Sequence, residues 1–372
     1  MQSIYLLIFY SNYIFTKSSA KILFSFRIFE VQIKKLQMIL VTGATGLVGG
    51  NLLWHLLQEN ERIIALRRET SNLEPLRAIF KFYTNEPDKF LNRISWKIAD
   101  VLDPISLEKS MTDVTIVYHC AAMVSLGKAS SALVETNVVG TRNIVELSIK
   151  LGIQKFCFVS SIAACGKSEN KKPITENEYW DETQKHSSYA QSKYYSEQEV
   201  WHGIKNGLNA VIVNPGVILG VSGTKTGSSQ LFSQVRKGLY FYTHGGSGYI
   251  DVQDVVKIMI KLTKSDIIAE RFILVAENNS NKEILSWMAD GCGKIRPFIP
   301  LGKIVLQIIG LLSEVIGKIF RFNLLIDREI AKSATNREYY SNEKIVKELN
   351  FEFKPIENCI KEICKSLIEC QN

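Results

Sequence analysis

No stretch constrains this chain more than Thr42-Gly43-Ala44-Thr45-Gly46-Leu47-Val48-Gly49. It follows a short apolar run, Met38–Thr42, and opens a helical stretch over Leu47–Glu59. A glycine triplet alone is weak evidence, but between a strand and a helix each glycine has its own task. Gly43 takes the tight turn, Gly46 lets backbone N–H groups approach a pyrophosphate, and Gly49 lets helix and strand pack closely. Thr45, Leu47 and Val48 complete that phosphate-binding start, where the helix dipole favours negative charge.

The pattern repeats downstream. Strand-like runs at Arg62–Leu66, Ser95–Ala99, Val114–Cys120, Lys155–Ser160 and Ala210–Val213 alternate with helical stretches, among them Leu133–Leu151 and Tyr189–Gly203. Near-continuous apolar strands between helices predict a parallel sheet covered on both faces. The expected fold is α/β: a Rossmann-type doubly wound parallel sheet over residues 38–216, binding NAD(P). Residues 217–372 are expected to be mainly a smaller substrate-binding region, with some segments returning to the core. Gly220–Gly248 is rich in Gly, Ser and Thr, as loops lining a site are. Gly291–Phe322 is apolar, and its longest uncharged stretch, Ile304–Ser313, is too short to span a bilayer. It reads as part of a substrate-facing cap, with peripheral membrane contact as the second reading.

Composition narrows the class. Hydrophobic residues make up 46% and charged residues 22%, enough for a full core. The net charge is +8, but Lys17, Lys21, Arg27, Lys34 and Lys35 stand against Glu30 alone before residue 38, so half of it lies there. The rest holds no dense basic block, which argues against nucleic-acid binding. Seven cysteines in no C-x-x-C pairing, and five histidines without ligand spacing, point to reduced thiols in a cytoplasmic protein with no metal. Met1–Thr16 is uncharged and aromatic-rich, unlike a secretory signal, which places positive charge first. Two readings stay open: residues 1–37 are an upstream extension with translation starting at Met38, the preferred one, or a membrane-associating leader.

Two further constellations carry chemistry. An acidic residue about 20 positions beyond the glycines usually accepts from the adenosine ribose of NAD. Arg67 stands 18 residues beyond Gly49, with Arg68 beside it, which suits the 2′-phosphate of NADP instead. Glu69 would restore an acid after a shift of two, and both arginines as solvated charges is the plain alternative, so NAD stays open. Tyr189 and Lys193, at i and i+4, share one helix face. A phenol near pKa ~10 is a poor base at neutral pH, and a nearby ammonium is expected to lower that value and let it exchange protons.

On these motifs, together with His119-Cys120-Ala121-Ala122, Asn137-Val138-Val139-Gly140-Thr141-Arg142-Asn143 and Val159-Ser160-Ser161 ahead of Gly166, residues 38 to about 350 resemble an extended short-chain dehydrogenase/reductase. That group contains the NAD-dependent epimerases and dehydratases. The resemblance implies that Ser161 completes a catalytic set with Tyr189 and Lys193, holding the substrate oxygen beside Tyr189. It implies that Lys193 also reaches the nicotinamide ribose, that Asp100 and Val101 contact adenine, and that Asn214-Pro215-Gly216 lies beside the nicotinamide. Ala121 and Ala122 fall in the cofactor-binding segment after the fourth strand. His119 reads as structural; Asn137 either caps a helix or ties the active-site helix through water. A homodimer through the helices bearing Asn137–Leu147 and Tyr189–Val200 is also implied.

The branch is set by less. Ser247 stands two positions before Tyr249, where nucleotide-sugar enzymes of the group often carry a diphosphate-pairing Arg. With Arg67 and the apolar Ile304–Ile319, this leans toward the dihydroflavonol 4-reductase and 3β-hydroxysteroid dehydrogenase-like branch. Hydride transfer between NADP(H) and the carbonyl or secondary alcohol of a small hydrophobic substrate is the expected reaction. A nucleotide-sugar epimerase or dehydratase is the alternative, and a catalytically silent dinucleotide-binding subunit the third.

Overall fold

The computed structural model describes residues 37–59, 62–124, 131–168, 172–223, 227–302, 305–306 and 335–369. The chain divides between Gln37 and Met38, and the fold below is that of the unit beginning at Met38. The readings of residues 1–36 therefore lie outside the described residues, as does most of the apolar segment Ile304–Ile319.

Seven strands form one parallel sheet: β1 (Met38–Thr42), β2 (Arg62–Arg67), β3 (Ser95–Ile98), β4 (Ile116–His119), β5 (Lys155–Val159), β6 (Ala210–Pro215) and β10 (Glu270–Leu274). Their order is β10-β6-β5-β4-β1-β2-β3, and every neighbouring pair is parallel. The central strands β4, β5 and β6 are buried throughout, as runs such as Lys155-Phe-Cys-Phe-Val159 suggest. The edge strand β3 carries Ser95 and Lys97 and is largely exposed, a polar edge that discourages pairing with another chain.

Side chains alternate across the sheet. On one face Ile39 and Val41 pack with Leu52, Leu53 and Leu56 of α1 (Leu47–Gln58), Phe80 of α2 (Glu74–Tyr83) and Val256 and Met259 of α8 (Val252–Thr263). On the other, Leu40, Val117 and Phe156 meet Leu107 of α4 (Pro104–Ser110), Ile144 of α5 (Gly140–Lys150) and Val200 of α6 (Ser188–Lys205). Removing one such leucine side chain costs roughly 2–5 kcal/mol, so the two layers fix the sheet between them. A short helix α3 (Pro87–Leu91) completes the β2–β3 crossover.

From β1 the chain winds toward β3, and from β4 it winds the other way. The switch lies between β1 and β4, and in sheets of this kind ligands bind outside the carboxyl ends of the strands at that point. Beyond β6 the chain builds a smaller region: a three-stranded sheet of β7 (Val217–Leu219), β9 (Gly246–Asp251) and β11 (Glu277–Ser280), and a pair of β8 (Phe241–Thr243) with β12 (Ile299–Leu301). Its core joins Phe232 of α7 (Ser228–Gly238), Met288 of α9 (Asn281–Gly291) and Ile360 of α11 (Ile356–Glu369). Helix α10 (Glu343–Leu349) packs at the β10 edge.

The expected doubly wound parallel sheet is thus present, with two refinements. Where the sequence points to six strands, the sheet has a seventh, β10, which pairs with β6. The helix expected over Leu133–Leu151 is broken by a π-helical turn at Glu135–Val139. Among the described residues no helix is long and apolar enough to cross a membrane, and no group of three His, Cys, Asp or Glu is placed to hold a metal.

Candidate active site

The glycine turn joins β1 to α1 as the spacing predicts. Gly43 has φ +64°, and a Cβ there would lie 2.6 Å from the amide nitrogen of Ala121. At Gly49 a Cβ would lie 2.3 Å from the Gly43 carbonyl oxygen, so helix and turn touch backbone to backbone. Gly46 caps α1 with no side chain, and no acidic residue occupies the first turn. The first N–H groups of α1, with Thr45, Leu47 and Val48 around them, are left to an anion. This is a cradle that any side chain would fill.

The end of β4 is locked to that turn. Thr141 Oγ donates to the Asn137 carbonyl (2.6 Å), so it accepts from His119 Nε2 (3.1 Å). His119 Nδ1 then accepts from Thr42 Oγ at 2.7 Å, and Thr42 Oγ accepts from the Ala121 amide at 3.1 Å. Burial drives the His119 pKa down to about 3, so the ring is neutral, as this pattern requires. His119 is structural, and Ala121 and Ala122 leave β4 beside the cradle.

Asn137 sits in the π-helical turn and is buried. Its side-chain oxygen accepts from the Met123 amide at 2.7 Å, and its nitrogen donates to the Met123 carbonyl (3.0 Å) and Ser192 Oγ (2.9 Å). It ties α6 directly rather than capping a helix or acting through water, and all its polar groups have protein partners.

At the far side, β2 ends at Arg67, whose Nε is buried and without a partner. Arg68 and Glu69 beside it are exposed. Asp100 and Val101 follow β3: the Asp100 carboxylate accepts from Leu102 N at 3.0 Å, and the Val101 side chain fills the space where Gly140 lacks one.

The proton-handling end lies over β5. Tyr189 and Lys193 project from one face of α6, whose start is capped by Ser187 accepting from Ala190 N. The Tyr189 hydroxyl lies beside Ser161, which stands just beyond β5 and accepts from Ala163 N at 3.1 Å. Lys193 is buried, donates to the Val159 carbonyl at 2.7 Å and lies over the Phe158 ring. Burial drives its pKa down to about 8, against weaker support from Cys120 and Glu197. Burial likewise raises the Tyr189 pKa, which the neighbouring Ser161 hydroxyl only partly offsets. This corrects the expectation of a lysine-lowered phenol: desolvation exceeds the pull of an ammonium that is itself buried and turned to a carbonyl.

Asn214, at the end of β6, donates to the Ser161 carbonyl (3.0 Å) and to Glu197 (2.8 Å), while its own buried oxygen has no partner. Pro215 pairs with Leu274, and Gly216 runs so close to Gly248 that a Cβ would lie 2.4 Å from its carbonyl oxygen. Ser247 lies on β9 opposite Asn279. The candidate residues after β1, β4, β5 and β6 therefore gather along the carboxyl edge of one sheet. Sequence reasoning passed over Glu197 and Arg271, a buried ion pair of 3.0 Å behind Ser160 and Asn214. Only the i+4 spacing from Lys193 to Glu197 hinted at it.

A profile of the NAD dependent epimerase/dehydratase family matches residues 39–272, which hold the cradle, Ser161, Tyr189 and Lys193. The chain belongs to that family. It is 31% identical over 324 residues to a Synechocystis sp. protein named for dihydroflavonol 4-reductase, covering 83% of this chain and 88% of the relative. To cinnamoyl-CoA reductase 1 of Petunia hybrida it is 24% identical over 345 residues, 90% and 92% of the two chains. The crystal structure of gox2253 superposes with a TM-score of 0.74 at 26% identity, covering 90% of this chain and 98% of that one. The family is that of NAD(P)-dependent oxidoreductases and epimerases acting on small molecules, and the Rossmann-type sheet is its fold.

Proposed function

We propose that the protein transfers hydride between NADP(H) and the carbonyl or secondary alcohol of a small, hydrophobic substrate, with Tyr189 as the proton donor and acceptor. The observation that carries this reading is the placement of Ser161, at the end of β5, beside Tyr189, with Lys193 one helical turn on. The Gly43–Gly49 cradle fits a pyrophosphate, and the unpartnered Arg67 Nε fits the extra phosphate of NADP. When bound, the nicotinamide supplies or takes the hydride.

The chain's own groups do the rest. Ser161 holds the substrate oxygen at hydrogen-bonding distance from the Tyr189 hydroxyl. With its pKa held up by burial, Tyr189 stays protonated, ready to give its proton to that oxygen during reduction. Lys193 fixes the strand end through Val159, with its ammonium over the Phe158 ring one helical turn from Tyr189. In place of a diphosphate-pairing Arg, β9 offers Ser247. The relatives named for dihydroflavonol and cinnamoyl-CoA reduction support a carbonyl substrate.

The test is net oxidation of NADPH against a panel of aldehydes and ketones, with Tyr189→Phe as the paired variant. Turnover lost by ~100-fold or more in the variant supports the reading. An enzyme that purifies with NAD bound and shows no net cofactor turnover would be an epimerase or dehydratase instead.

A further inference from the structure

Glu197 is 1% exposed, yet it is a carboxylate in the middle of α6. A buried charge survives only with partners, and this one has four. Oε2 accepts from Ser160 Oγ (2.7 Å) and Asn214 Nδ2 (2.8 Å); Oε1 accepts from Arg271 Nη1 (3.0 Å) and Trp201 Nε1 (3.3 Å). Arg271 comes from β10 and donates through Nε to the Glu176 carbonyl at 2.9 Å. The Glu176 carboxylate in turn accepts from Ile273 N at 2.8 Å, so Arg271 also anchors the segment leading toward Tyr189.

Tyr189, Lys193 and Glu197 stand one turn apart on one helix face and meet three consecutive residues. Tyr189 lies beside Ser161, Lys193 holds the Val159 carbonyl, and Glu197 holds Ser160. Asn214, held by Glu197, closes the loop on the Ser161 carbonyl. An apolar pair of similar volume would often stabilise such a position equally well, so burial of the ions is not explained by stability alone. We infer that Glu197 and Arg271 are positioning residues of the reaction centre, fixing Ser161 and Lys193 relative to Tyr189. This rests on the oxidoreductase reading above for its kinetic consequence, though not for its geometry.

The ionisable groups near Lys193 are Glu197 on its own helix, Cys120 after β4 and the neutral His119. Cys120 and Glu197 both favour the ammonium, and Glu197 is the one bound to Arg271. Glu197→Gln keeps the shape and removes the charge. A single loss leaves the partly buried Arg271 without a carboxylate, so Glu197→Gln with Arg271→Met is the second variant.

Three readouts are taken on the full chain: melting temperature, NADPH affinity by fluorescence, and the pH profile of kcat/KM for carbonyl reduction. The expected result for the double variant is a melting temperature near wild type, NADPH affinity within ~3-fold, and kcat lower by ~10- to 100-fold. The alkaline limb of the profile moves to lower pH, because Lys193 loses its proton more easily. Restored melting temperature with wild-type kcat and an unmoved limb would overturn the inference and leave the pair merely structural. If the wild type reduces no carbonyl, the functional reading fails instead. Titration of Lys193 by NMR with 13Cε-labelled lysine then decides: a lowered pKa in the double variant sustains the positioning role, and an unchanged one overturns it.

Discussion

His119 accepts a hydrogen bond from Thr42 at 2.7 Å, so the end of β4 is joined side chain to side chain to the end of β1, across the switch point of the sheet. Because the ring is held neutral with its pKa near 3, the unfolded chain takes up a proton that the folded one refuses. The stability this contributes is present above pH 6.5 and is lost as pH falls toward 3, at about 1.4 kcal/mol per pH unit. Urea unfolding at pH 7.5, 6 and 5 should show this slope. His119→Gln should cost about 1–3 kcal/mol at pH 7.5 and flatten the decline by one proton. An equally steep decline in the variant would remove His119 from the account.

The glycines of the cradle differ in what a methyl group would meet. At Gly49 it would strike the Gly43 carbonyl oxygen at 2.3 Å, backbone against backbone, whereas at Gly46 the nearest atom is 3.2 Å away. Gly49→Ala should therefore lower stability by about 2–4 kcal/mol and weaken dinucleotide binding with it. Gly46→Ala should leave the melting temperature within a few degrees while narrowing the approach to the phosphate. Equal melting temperatures for the two variants would contradict the geometry.

Much of this site was legible because its chemistry sits at fixed spacings near strand ends. Gly43 and Gly49 are dictated by a backbone approach that only glycine allows, and Tyr189 and Lys193 by one turn of helix. Partnerships between distant strands were not legible. Arg271 meets Glu197 across 74 residues, on a strand whose opening Glu270-Arg271 hides its apolar remainder. Burial was equally invisible: the sequence places an ammonium near a phenol but does not reveal that both are desolvated, which reverses the expected direction for Tyr189. The π-helical turn at Glu135–Val139 has no signature in its residues, and arises where Asn137 must reach both Met123 and Ser192.

Arg67 ends β2 with a buried Nε that has no partner. A charge-assisted bond to a phosphate is worth about 1.5–3 kcal/mol, or roughly 10- to 100-fold in affinity. Arg67→Gln should weaken NADPH binding by that factor and leave NADH binding nearly unchanged, as measured by fluorescence titration of each. If both cofactors weaken alike, Arg67 serves the adenosine ribose or the fold rather than the extra phosphate.

Lys193 is held at a cost. Its pKa falls from 10.5 in the unfolded chain to about 8, so the folded state binds the proton less tightly. The sign follows: below pH 8 the charged ammonium destabilises the fold, by about 3 kcal/mol, and stability rises as pH climbs from 8 to 10.5. Lys193→Met removes the buried charge but also the bond to the Val159 carbonyl, worth about 1–2 kcal/mol. The variant should therefore be more stable than wild type at pH 7, by about 1–2 kcal/mol, and should lack the wild-type gain between pH 8 and 10.5. Its catalytic rate should fall by ~100-fold or more, since the variant loses the ammonium one helical turn from Tyr189 and its hold on the end of β5. Such a pairing of higher stability with lost activity is what a strained catalytic lysine predicts. A variant less stable than wild type at pH 7 would mean that the Val159 hydrogen bond outweighs desolvation and that Lys193 is there to hold β5.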